Sequence, residues 1–256
     1  MPDAEFPILE FDPAPEAVIE PSKVNQAGVL PSHGVMCFFR EVIAKVAEEH
    51  GAEVIHSFRC EAGDHPIYRM QYQGKPVVFV QPGVGSAHAG ACFEEFIAHG
   101  VSKCTACGGA GVLDKAIAVG HVLVPESAVR DEGTSYHYMP PSREVAADPE
   151  SVAAIERVLV RHKVAYLRAK TWTTDAPYRE TTAKVKRRRE EGCLTVEMEA
   201  AAFFAVARFR GVRFGQLLYG GDDVSSETWD DRKWDTRTTI REKLFWLAVE
   251  SVLEIP

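Results

Sequence analysis

The chain has 256 residues, of which 46% are hydrophobic, 26% charged and 9% aromatic, a composition typical of a globular protein with a sizeable core. Lys and Arg number 29 against 37 Asp and Glu, giving a formal net charge of -8, which argues against duplex nucleic acid or an anionic membrane surface as a partner. The sequence contains no run of about 18 uncharged apolar residues, so we expect no membrane span.

The first 34 residues are acidic and interrupted by prolines, and we expect an irregular N-terminal segment over 1–34 and one domain over 35–256. The N-terminus lacks the basic head and apolar run of a signal peptide, which favours a cytoplasmic protein. Six scattered cysteines fit a compartment that keeps thiols reduced. Cys104 and Cys107 form a C-x-x-C pair, but no second pair stands at zinc spacing, so we expect structural cysteines and no metal site.

The spacing of apolar residues predicts a helix over 35–49, and two strand-like runs and the segment PVVFVQ follow it. Further along the chain, helices are predicted at 148–162, 181–191 and 237–253, and strands at 164–172, 194–196 and 212–219. The run Gly220-Gly221-Asp222-Asp223 is typical of a turn. Strands that alternate with helices predict an α/β fold, with helices on both faces of a mainly parallel sheet.

Glycines and acidic residues follow several of the predicted strands, in the segments PGVG, GGAG, TTD, VEME and GGDD. Ligands of such sheets bind beyond the carboxyl ends of the strands. Glycines allow a ligand to approach the backbone closely, and carboxylates suit a polyhydroxylated or basic small molecule. The chain has no G-x-x-x-x-G-K-[ST] motif, so these glycines do not form a P-loop.

Taken together, these segments resemble the nucleoside phosphorylase family, which includes hexameric purine nucleoside phosphorylases, uridine phosphorylases and adenosylhomocysteine nucleosidases. The resemblance extends over about residues 18–253, and its most specific element is VEMEAA at 196–201. It is supported by GVGSAHAG, GGAGVL, AVGHVLVPESAVRDEG and the GGD at 220–222. It implies a single-domain three-layer α/β/α sandwich around a twisted, partly closed mixed sheet, and a homo-oligomer, either a dimer or a hexamer.

The resemblance implies that Glu199 accepts hydrogen bonds from the ribose 2′- and 3′-hydroxyls while Met198 packs on the sugar. A carboxylate can hold a vicinal diol, and its negative charge stabilises an oxocarbenium-like transition state. Glu197 is a further candidate for the substrate site. The alternative interpretation of this segment is an amphipathic helix whose acidic first turn complements the helix dipole.

Asp222 matches the general acid of purine-specific members, and Arg237 matches the arginine that pairs with it. A carboxylic acid can protonate a leaving base if burial raises its pKa. The neighbouring Asp223 leaves the register open by one residue. The segment SAVRDEGTSYHYMPP is most similar to uridine phosphorylases, whereas Asp222 implies a purine-like leaving group.

Trp172 occupies the position where the family places an aromatic ring over the base, although a core position is the alternative. Tyr178 lies nearby in the sequence. Trp229 and Trp234 lie in a charged segment, where two tryptophans are unusual without a ligand or a subunit to cover them, and we predict that they form a lid.

The phosphate site departs from the family pattern. The motif R-x-G-[ST]-x-G is replaced by ACGGAG at 106–111, and the early P-G-D-P-x-R loop is represented only by EPSK at 20–23. We expect Gly85, Gly108 and Gly109 to line the phosphate pocket, with backbone amides forming an anion nest. Arg59 lies where the family draws an arginine from the neighbouring subunit, and the other candidate cations are Lys23, Arg40 and Arg130.

These features predict a nucleoside phosphorylase, a pentosyltransferase that converts a ribonucleoside and inorganic phosphate to a free base and ribose 1-phosphate, with purines favoured over uridine. No metal or organic cofactor is expected. One alternative is a hydrolytic nucleosidase on the same fold, which the loss of the phosphate arginine favours and the absence of an M-E-x-E segment disfavours. A second alternative is a non-catalytic nucleoside-binding protein, in which Asp222 would have no role.

Overall fold

The computed structural model describes residues 5–24 and 29–256. The rest of the predicted N-terminal segment, 1–4 and 25–28, lies outside the described residues. Ahead of the first strand, the described residues form a 3-10 turn at Pro7–Leu9 and a short helix α1 at Pro21–Val24. The guanidinium of Arg210 bonds the carbonyl of Pro15 (3.0 Å) and ties this segment to the body of the protein.

One mixed sheet contains all ten strands found in the described part of the chain. The strands are β1 His33–Cys37, β2 Glu53–Cys60, β3 Gly63–Tyr72, β4 Lys75–Val80, β5 Lys103–Val112, β6 Val122–Asp131, β7 Glu144–Ala146, β8 Tyr166–Thr174, β9 Cys193–Glu197 and β10 Arg213–Asp223. Along the sheet the order is β10-β6-β8-β9-β5-β1-β4-β3-β2, with β7 on β6.

Five of these strands close into a ring, because β10 pairs with β5 as well as with β6. The strand β5 makes this possible by changing partners along one edge. Its first half pairs with β1 up to Cys37↔Cys107, and its end pairs with β9 at Gly111↔Val196. Between these two partners, residues 108–110 of β5 have no described strand paired with them along this edge. The predicted partly closed mixed sheet is confirmed.

Helices cover both faces of the sheet. On one face lie α2 Arg40–Glu49, α4 Pro149–Arg161 and α7 Thr238–Glu254, and on the other lie α3 Ser86–Ala98 and α6 Ala200–Arg210, while α5 Thr182–Glu190 packs beside β9. Capping residues determine where two of these helices begin or end. Asp148 caps the N-terminus of α4 by accepting a hydrogen bond from the Ser151 amide, and Gly211 ends α6 in the left-handed conformation at φ 69°. In the described ranges, we find no helix with the length and apolar character that crossing a bilayer requires.

Two predicted elements were wrong. The predicted helix over 35–49 is a strand followed by a helix, because β1 covers His33–Cys37 and α2 begins at Arg40. A short apolar run is compatible with a buried strand or a helix, and pairing with β4 and β5 on both sides selects the strand. The predicted turn at 220–223 belongs to β10, whose register shifts between Gly220 and Asp223.

All six cysteines are free thiols, and all except Cys60 are buried. Cys104 and Cys107 lie inside β5, where burial raises the pKa of each thiol well above its ordinary value. These two residues are therefore neutral core side chains, as expected for structural cysteines.

Trp172 lies in the core and does not reach a ligand cavity. It is fully buried on β8 in a cluster with Leu113, Val129, Val185, Cys193 and Val196. Its indole Nε1 donates a hydrogen bond to Asp131 Oδ2 (3.0 Å), and the Arg188 guanidinium lies 5.3 Å from the ring centroid. The predicted stacking of Trp172 on a base is therefore corrected to a core position, because the indole has no exposed face.

We expect Trp172→Ala to lower the free energy of unfolding by about 3–5 kcal/mol, because it removes a large buried side chain and leaves a cavity. Trp229→Ala is the matched control, since Trp229 is 61% exposed and its loss should change stability by less than about 1 kcal/mol. Urea unfolding of both variants measures the difference. Equal losses for the two tryptophans would contradict this assignment.

Candidate functional site

A cleft of two adjoining lobes opens at the carboxyl ends of β5, β9 and β10, beside the open edge of β5. The larger lobe has a volume of about 540 Å³ and the smaller lobe about 250 Å³. Both are lined by Gly109, Glu197, Met198 and Trp234, so they share one wall. The cleft thus lies at the sheet edge where ligands of α/β proteins bind.

Glu197 organises the junction between β9 and α6. One of its carboxylate oxygens accepts a hydrogen bond from Thr173 Oγ1 (2.6 Å), and the other accepts bonds from the amides of Glu199 (2.7 Å) and Ala200 (2.6 Å). It therefore caps the N-terminus of α6, where the helix dipole favours a negative charge. Although it lines the cleft, its hydrogen bonds agree with the alternative interpretation of this segment, an acidic group that complements the dipole of the following helix.

Glu199 is presented to the smaller lobe by this junction. It is 6% exposed, and its Oε1 accepts a hydrogen bond from the amide of Gly85 (2.6 Å). Gly85 precedes α3 with φ 92°, a conformation that favours glycine. Burial, followed by the negative charge of Glu197, raises the pKa of Glu199 to about 8. Gly85 therefore positions a carboxyl group and does not itself line either lobe.

Met198 lies between the two glutamates, and its backbone carbonyl accepts a hydrogen bond from Ser86 Oγ (2.6 Å). The residue lines both lobes. The VEME segment thus provides a wall shared by both lobes, and α3 contacts it through Ser86 and Gly85.

The larger lobe combines exposed aromatic rings with carboxyl groups. Tyr178 is 99% exposed, Trp229 61% and Trp234 37%, and all three line this lobe. Asp222 lies in the same wall, where its Oδ2 accepts a hydrogen bond from the Trp229 indole (2.7 Å). Such rings suit a planar ligand, and the carboxyl group suits a ligand with N–H donors or a basic nitrogen.

Glu180 is a site residue that the sequence analysis missed. It lines the larger lobe, and burial together with the negative charge of Asp222 raises its pKa to about 7. It directly follows the 3-10 turn Pro177–Arg179, which carries Tyr178. The sequence signal for Glu180 is its position in the segment beyond β8, because acidic residues after strands are expected to face a ligand.

The register of the two aspartates at the end of β10 is resolved. Asp222 faces the larger lobe, whereas Asp223 is buried and pairs with the guanidinium of Arg232. The predicted pair of Asp222 with Arg237 is absent from the described ion pairs and hydrogen bonds, because Arg237 donates to the backbone carbonyl of Arg232 (2.7 Å). Arg237 therefore belongs to the loop that precedes α7.

The smaller lobe is lined by the segment after β1 and by β5. Phe38, Phe39, Gly108 and Gly109 all line it, and the Phe38 ring packs over Gly108, where a Cβ atom would lie 3.0 Å from Phe38 Cδ2. Hydrogen bonds from the Phe38 amide to Cys107 O and from the Leu113 amide to Leu194 O show that odd-numbered residues of β5 face this edge. By the same alternation, the N–H of Gly109 faces the opening between β1 and β9.

Gln216 and Arg241 complete the smaller lobe. Gln216 is 1% exposed, and both of its amide atoms are buried without a hydrogen-bond partner in the described structure. Arg241 forms an ion pair with Glu41 (2.7 Å) and lies 4.6 Å from the Phe39 ring centroid, while its Nε has no described partner. Unsatisfied buried polar groups are costly, which singles out these two side chains as the polar part of the lining of the smaller lobe.

The predicted phosphate cations lie elsewhere. Lys23 pairs with Glu16 (3.1 Å), Arg40 is exposed at the start of α2, and buried Arg130 bonds Ser135 Oγ (2.8 Å). Arg59 is exposed on β2, the last strand of the sheet, 3.9 Å from Asp64. None of the four lines this chain's own cleft. The role predicted for Arg59, acting from a neighbouring subunit, stays a prediction.

Comparisons with known proteins match this architecture. The chain is 25% identical over 203 residues to the guanosine phosphorylase of Halorubrum lacusprofundi, covering 79% of this chain and 80% of that protein. Several further relatives, named as uridine phosphorylases, align over less than two-thirds of their own length.

Two solved structures share the fold. A uridine phosphorylase of Vibrio fischeri superposes with a TM-score of 0.74 at 19% identity, covering 90% of this chain and 99% of that one. An AMP nucleosidase of Bacteroides thetaiotaomicron superposes with a TM-score of 0.71 at 21% identity, covering 88% of each chain. The family model of the phosphorylase superfamily matches residues 32–251 of this chain. The chain belongs to the phosphorylase superfamily.

Proposed function

We propose that the protein cleaves the N-glycosidic bond of a purine nucleoside, with the sugar at Met198 and Glu199 and the base in the larger lobe. The observation that carries this proposal is the buried Glu199 carboxyl group, which faces the smaller lobe beside the methionine shared by both lobes. A sugar at that junction extends its base towards the larger lobe and turns the opposite face of its anomeric carbon, where an acceptor would attack, towards the smaller lobe. The name of the Halorubrum lacusprofundi relative, a guanosine phosphorylase, agrees with a purine.

The sugar site uses the carboxyl group of Glu199. The Gly85 amide holds this group through Oε1, and a ribose hydroxyl would add a further hydrogen bond to the carboxyl group. Burial and the negative charge of Glu197 disfavour ionisation of Glu199 and raise its pKa to about 8. Positive charge developing on the sugar in the transition state favours the carboxylate, so its stabilising effect is largest when the bond breaks.

The leaving base receives its proton in the larger lobe. Asp222 and Glu180 both line this lobe, and Glu180 is the better carrier because its pKa is raised to about 7. A general acid works best with a pKa near the working pH. Tyr178 and Trp229 offer aromatic faces on which the base can stack.

Inorganic phosphate is the first candidate acceptor, in keeping with the names of the phosphorylase relatives. In this chain the smaller lobe offers it the Gly109 N–H, the Gln216 amide and Arg241. A homo-oligomer could add Arg59 of a neighbouring subunit. No metal or organic cofactor enters this proposal.

Water is a second candidate acceptor, and the side chains of the smaller lobe favour it. Phe38 and Phe39 occupy the wall where an anion would need positive partners, and the charge of Arg241 is offset by Glu41. A phosphate dianion in a partly dry cleft requires cations, whereas the neutral amide of Gln216 is sufficient to orient a water molecule.

One assay tests the function and separates the acceptors. Guanosine, inosine, adenosine and uridine are incubated with the protein, with and without inorganic phosphate, and bases and sugars are separated by chromatography. We expect purine release to exceed uracil release. Ribose 1-phosphate that forms only with phosphate supports phosphorolysis, and free ribose at a phosphate-independent rate supports hydrolysis. Nucleoside binding without base release would instead support the non-catalytic alternative and contradict both.

Glu199→Gln should lower kcat/KM by about 100-fold or more, because it removes a charge contact that stabilises the transition state. The same substitution should also stabilise the folded protein at alkaline pH. Since burial raises the folded-state pKa of Glu199 from 4.5 to about 8, the folded protein prefers the protonated carboxyl. This preference makes its full contribution to the free energy of unfolding below pH 4.5, and the contribution is lost as the pH rises through 8.

Glutamine cannot ionise, so the Tm advantage of Glu199→Gln over the wild type should grow between pH 5 and pH 8.5. Differential scanning calorimetry at both pH values measures it. Exposed Glu61 provides the matched control, and Glu61→Gln should follow the wild type throughout. Full activity together with an unchanged Tm at pH 8.5 would show that Glu199 is not the buried carboxyl of the sugar site.

Glu180→Gln should remove the alkaline limb of the kcat/KM profile. In the wild type, deprotonation of Glu180 as the pH rises through about 7 removes the proton donor, so kcat/KM for a purine nucleoside should fall. The variant should be about 100-fold slower on that substrate and show no such fall.

A nitrophenyl riboside serves as the control substrate, because its leaving group needs no protonation and should be cleaved equally by both proteins. Glu227→Gln, an exposed change near the cleft, is the matched variant control. An alkaline limb that persists in Glu180→Gln would assign the proton donor to Asp222 instead.

A further inference from the structure

A second cluster of reactive side chains lies away from the cleft, between the β2–β3 hairpin and α3. It contains Cys60 at the end of β2, His65 on β3 and His88 in the first turn of α3. One ligand atom from each of these residues lies within 4.8 Å of the other two. The proposed cleavage reaction uses none of them.

The distances fit a tetrahedral metal centre. Cys60 Sγ and His88 Nε2 are 3.4 Å apart. Zinc–sulfur and zinc–nitrogen bonds of about 2.3 and 2.05 Å at a tetrahedral angle would place these two atoms about 3.6 Å apart. The rings of His65 and His88 meet edge-on with centroids 4.8 Å apart, so both imidazoles are already gathered around the thiol.

A backbone contact sets the tautomer of His65. Its Nδ1 lies 2.9 Å from the carbonyl oxygen of Gln81, which can only accept a hydrogen bond. The proton of the neutral ring is therefore on Nδ1, and the lone pair is on Nε2. Metal-binding histidines typically donate their second ring nitrogen to a carbonyl or carboxylate in this way.

We propose that Cys60, His65 and His88 bind a soft divalent cation, with Zn²⁺ as the preferred ion. One thiolate and two imidazoles form a donor set that suits zinc and is poor for Mg²⁺ or Ca²⁺, which prefer oxygen ligands. On binding, the Zn–S bond replaces the S–H bond of Cys60, and the proton goes to solvent. The fourth coordination position is left to water.

The site would join two parts of the protein that carry other features. Cys60 and His65 belong to the hairpin that also bears Arg59. The loop 81–85 begins at Gln81, whose carbonyl oxygen contacts His65, and it leads into α3, which carries His88. Gly85 at the end of this loop holds Glu199 through its amide. A bound zinc ion would therefore fix the hairpin against the loop that positions the cleft carboxyl group.

Thiol labelling tests the proposal without an activity assay. Cys60 is the one exposed cysteine of the chain, all six being described, so a chromogenic disulfide reagent should label one thiol per folded protein. Zinc at about 100 times its Kd should leave about 1% of sites free and slow this labelling about 100-fold. Mg²⁺ at the same concentration should have no effect.

The variants His65→Ala and His88→Ala should weaken this protection at least about tenfold, because loss of a ligand should lower zinc affinity by more than about tenfold. Exposed His137 provides the matched control, and His137→Ala should be protected like the wild type. His88→Gln replaces His88→Ala if the latter does not fold. Zinc-independent labelling of the wild type, or protection that survives loss of both histidines, would overturn the proposal.

Cobalt substitution provides a second measurement on the unaltered protein. Co²⁺ bound through Cys60 should produce a thiolate-to-metal charge-transfer band and tetrahedral ligand-field bands, and Cys60→Ser should lack the charge-transfer band. A stoichiometry of one ion per chain by titration is expected. Octahedral spectra in the wild type would place the metal on surface oxygens and contradict the assignment.

Discussion

The buried carboxylate of Glu197 is the contact on which the cleft depends. It joins Thr173 on β8 to the first amides of α6, so it fixes the end of one strand and the start of one helix at the same point. Burying a carboxylate is costly unless it is hydrogen-bonded, and burial raises its pKa. The three short hydrogen bonds offset that cost, and they determine where the two following residues point.

Met198 and Glu199 owe their positions to this junction. The N-terminal end of α3 contacts both of them, through Ser86 to the Met198 carbonyl and through Gly85 to the Glu199 carboxyl. The functional carboxyl is thus held by backbone and helix ends, which move less than long side chains do. Burial, together with the negative charge of Glu197, raises the pKa of Glu199 to about 8, so two glutamates on either side of Met198 acquire different roles.

Much of the fold could be predicted from the sequence, because strands that alternate with helices can pack into few architectures. Glycines and acidic residues at the strand ends then indicate which edge of the sheet binds a ligand. The same reasoning selected the VEME and GGDD segments, and the family resemblance singled out Met198, Glu199 and Asp222 within them, all of which line the cleft. The resemblance failed for Trp172 because position along a strand does not reveal which face is covered. Phe38 was missed because the apolar run around it was assigned to a helix rather than to β1 and the loop after it.

Other features depend on contacts that no linear pattern records. The pKa of Glu180 is raised only because the folded chain buries it beside Asp222. Arg237 donates to the backbone carbonyl of Arg232, a contact that the sequence does not indicate. The cluster of Cys60, His65 and His88 draws on two strands and a helix, and a further strand and a loop separate His88 from the other two residues in the sequence. Pairwise closeness of this kind is a property of the folded chain.

The distribution of cysteines limits how oxidation can link this protein to itself. Five thiols are enclosed in the core, so an oxidant acting on the folded chain meets only Cys60. With one reactive group per molecule, disulfides can join chains in pairs but cannot extend into a network. Covalent assemblies larger than two chains would therefore have to come from molecules whose cores have opened, and their appearance on a non-reducing gel would report unfolding.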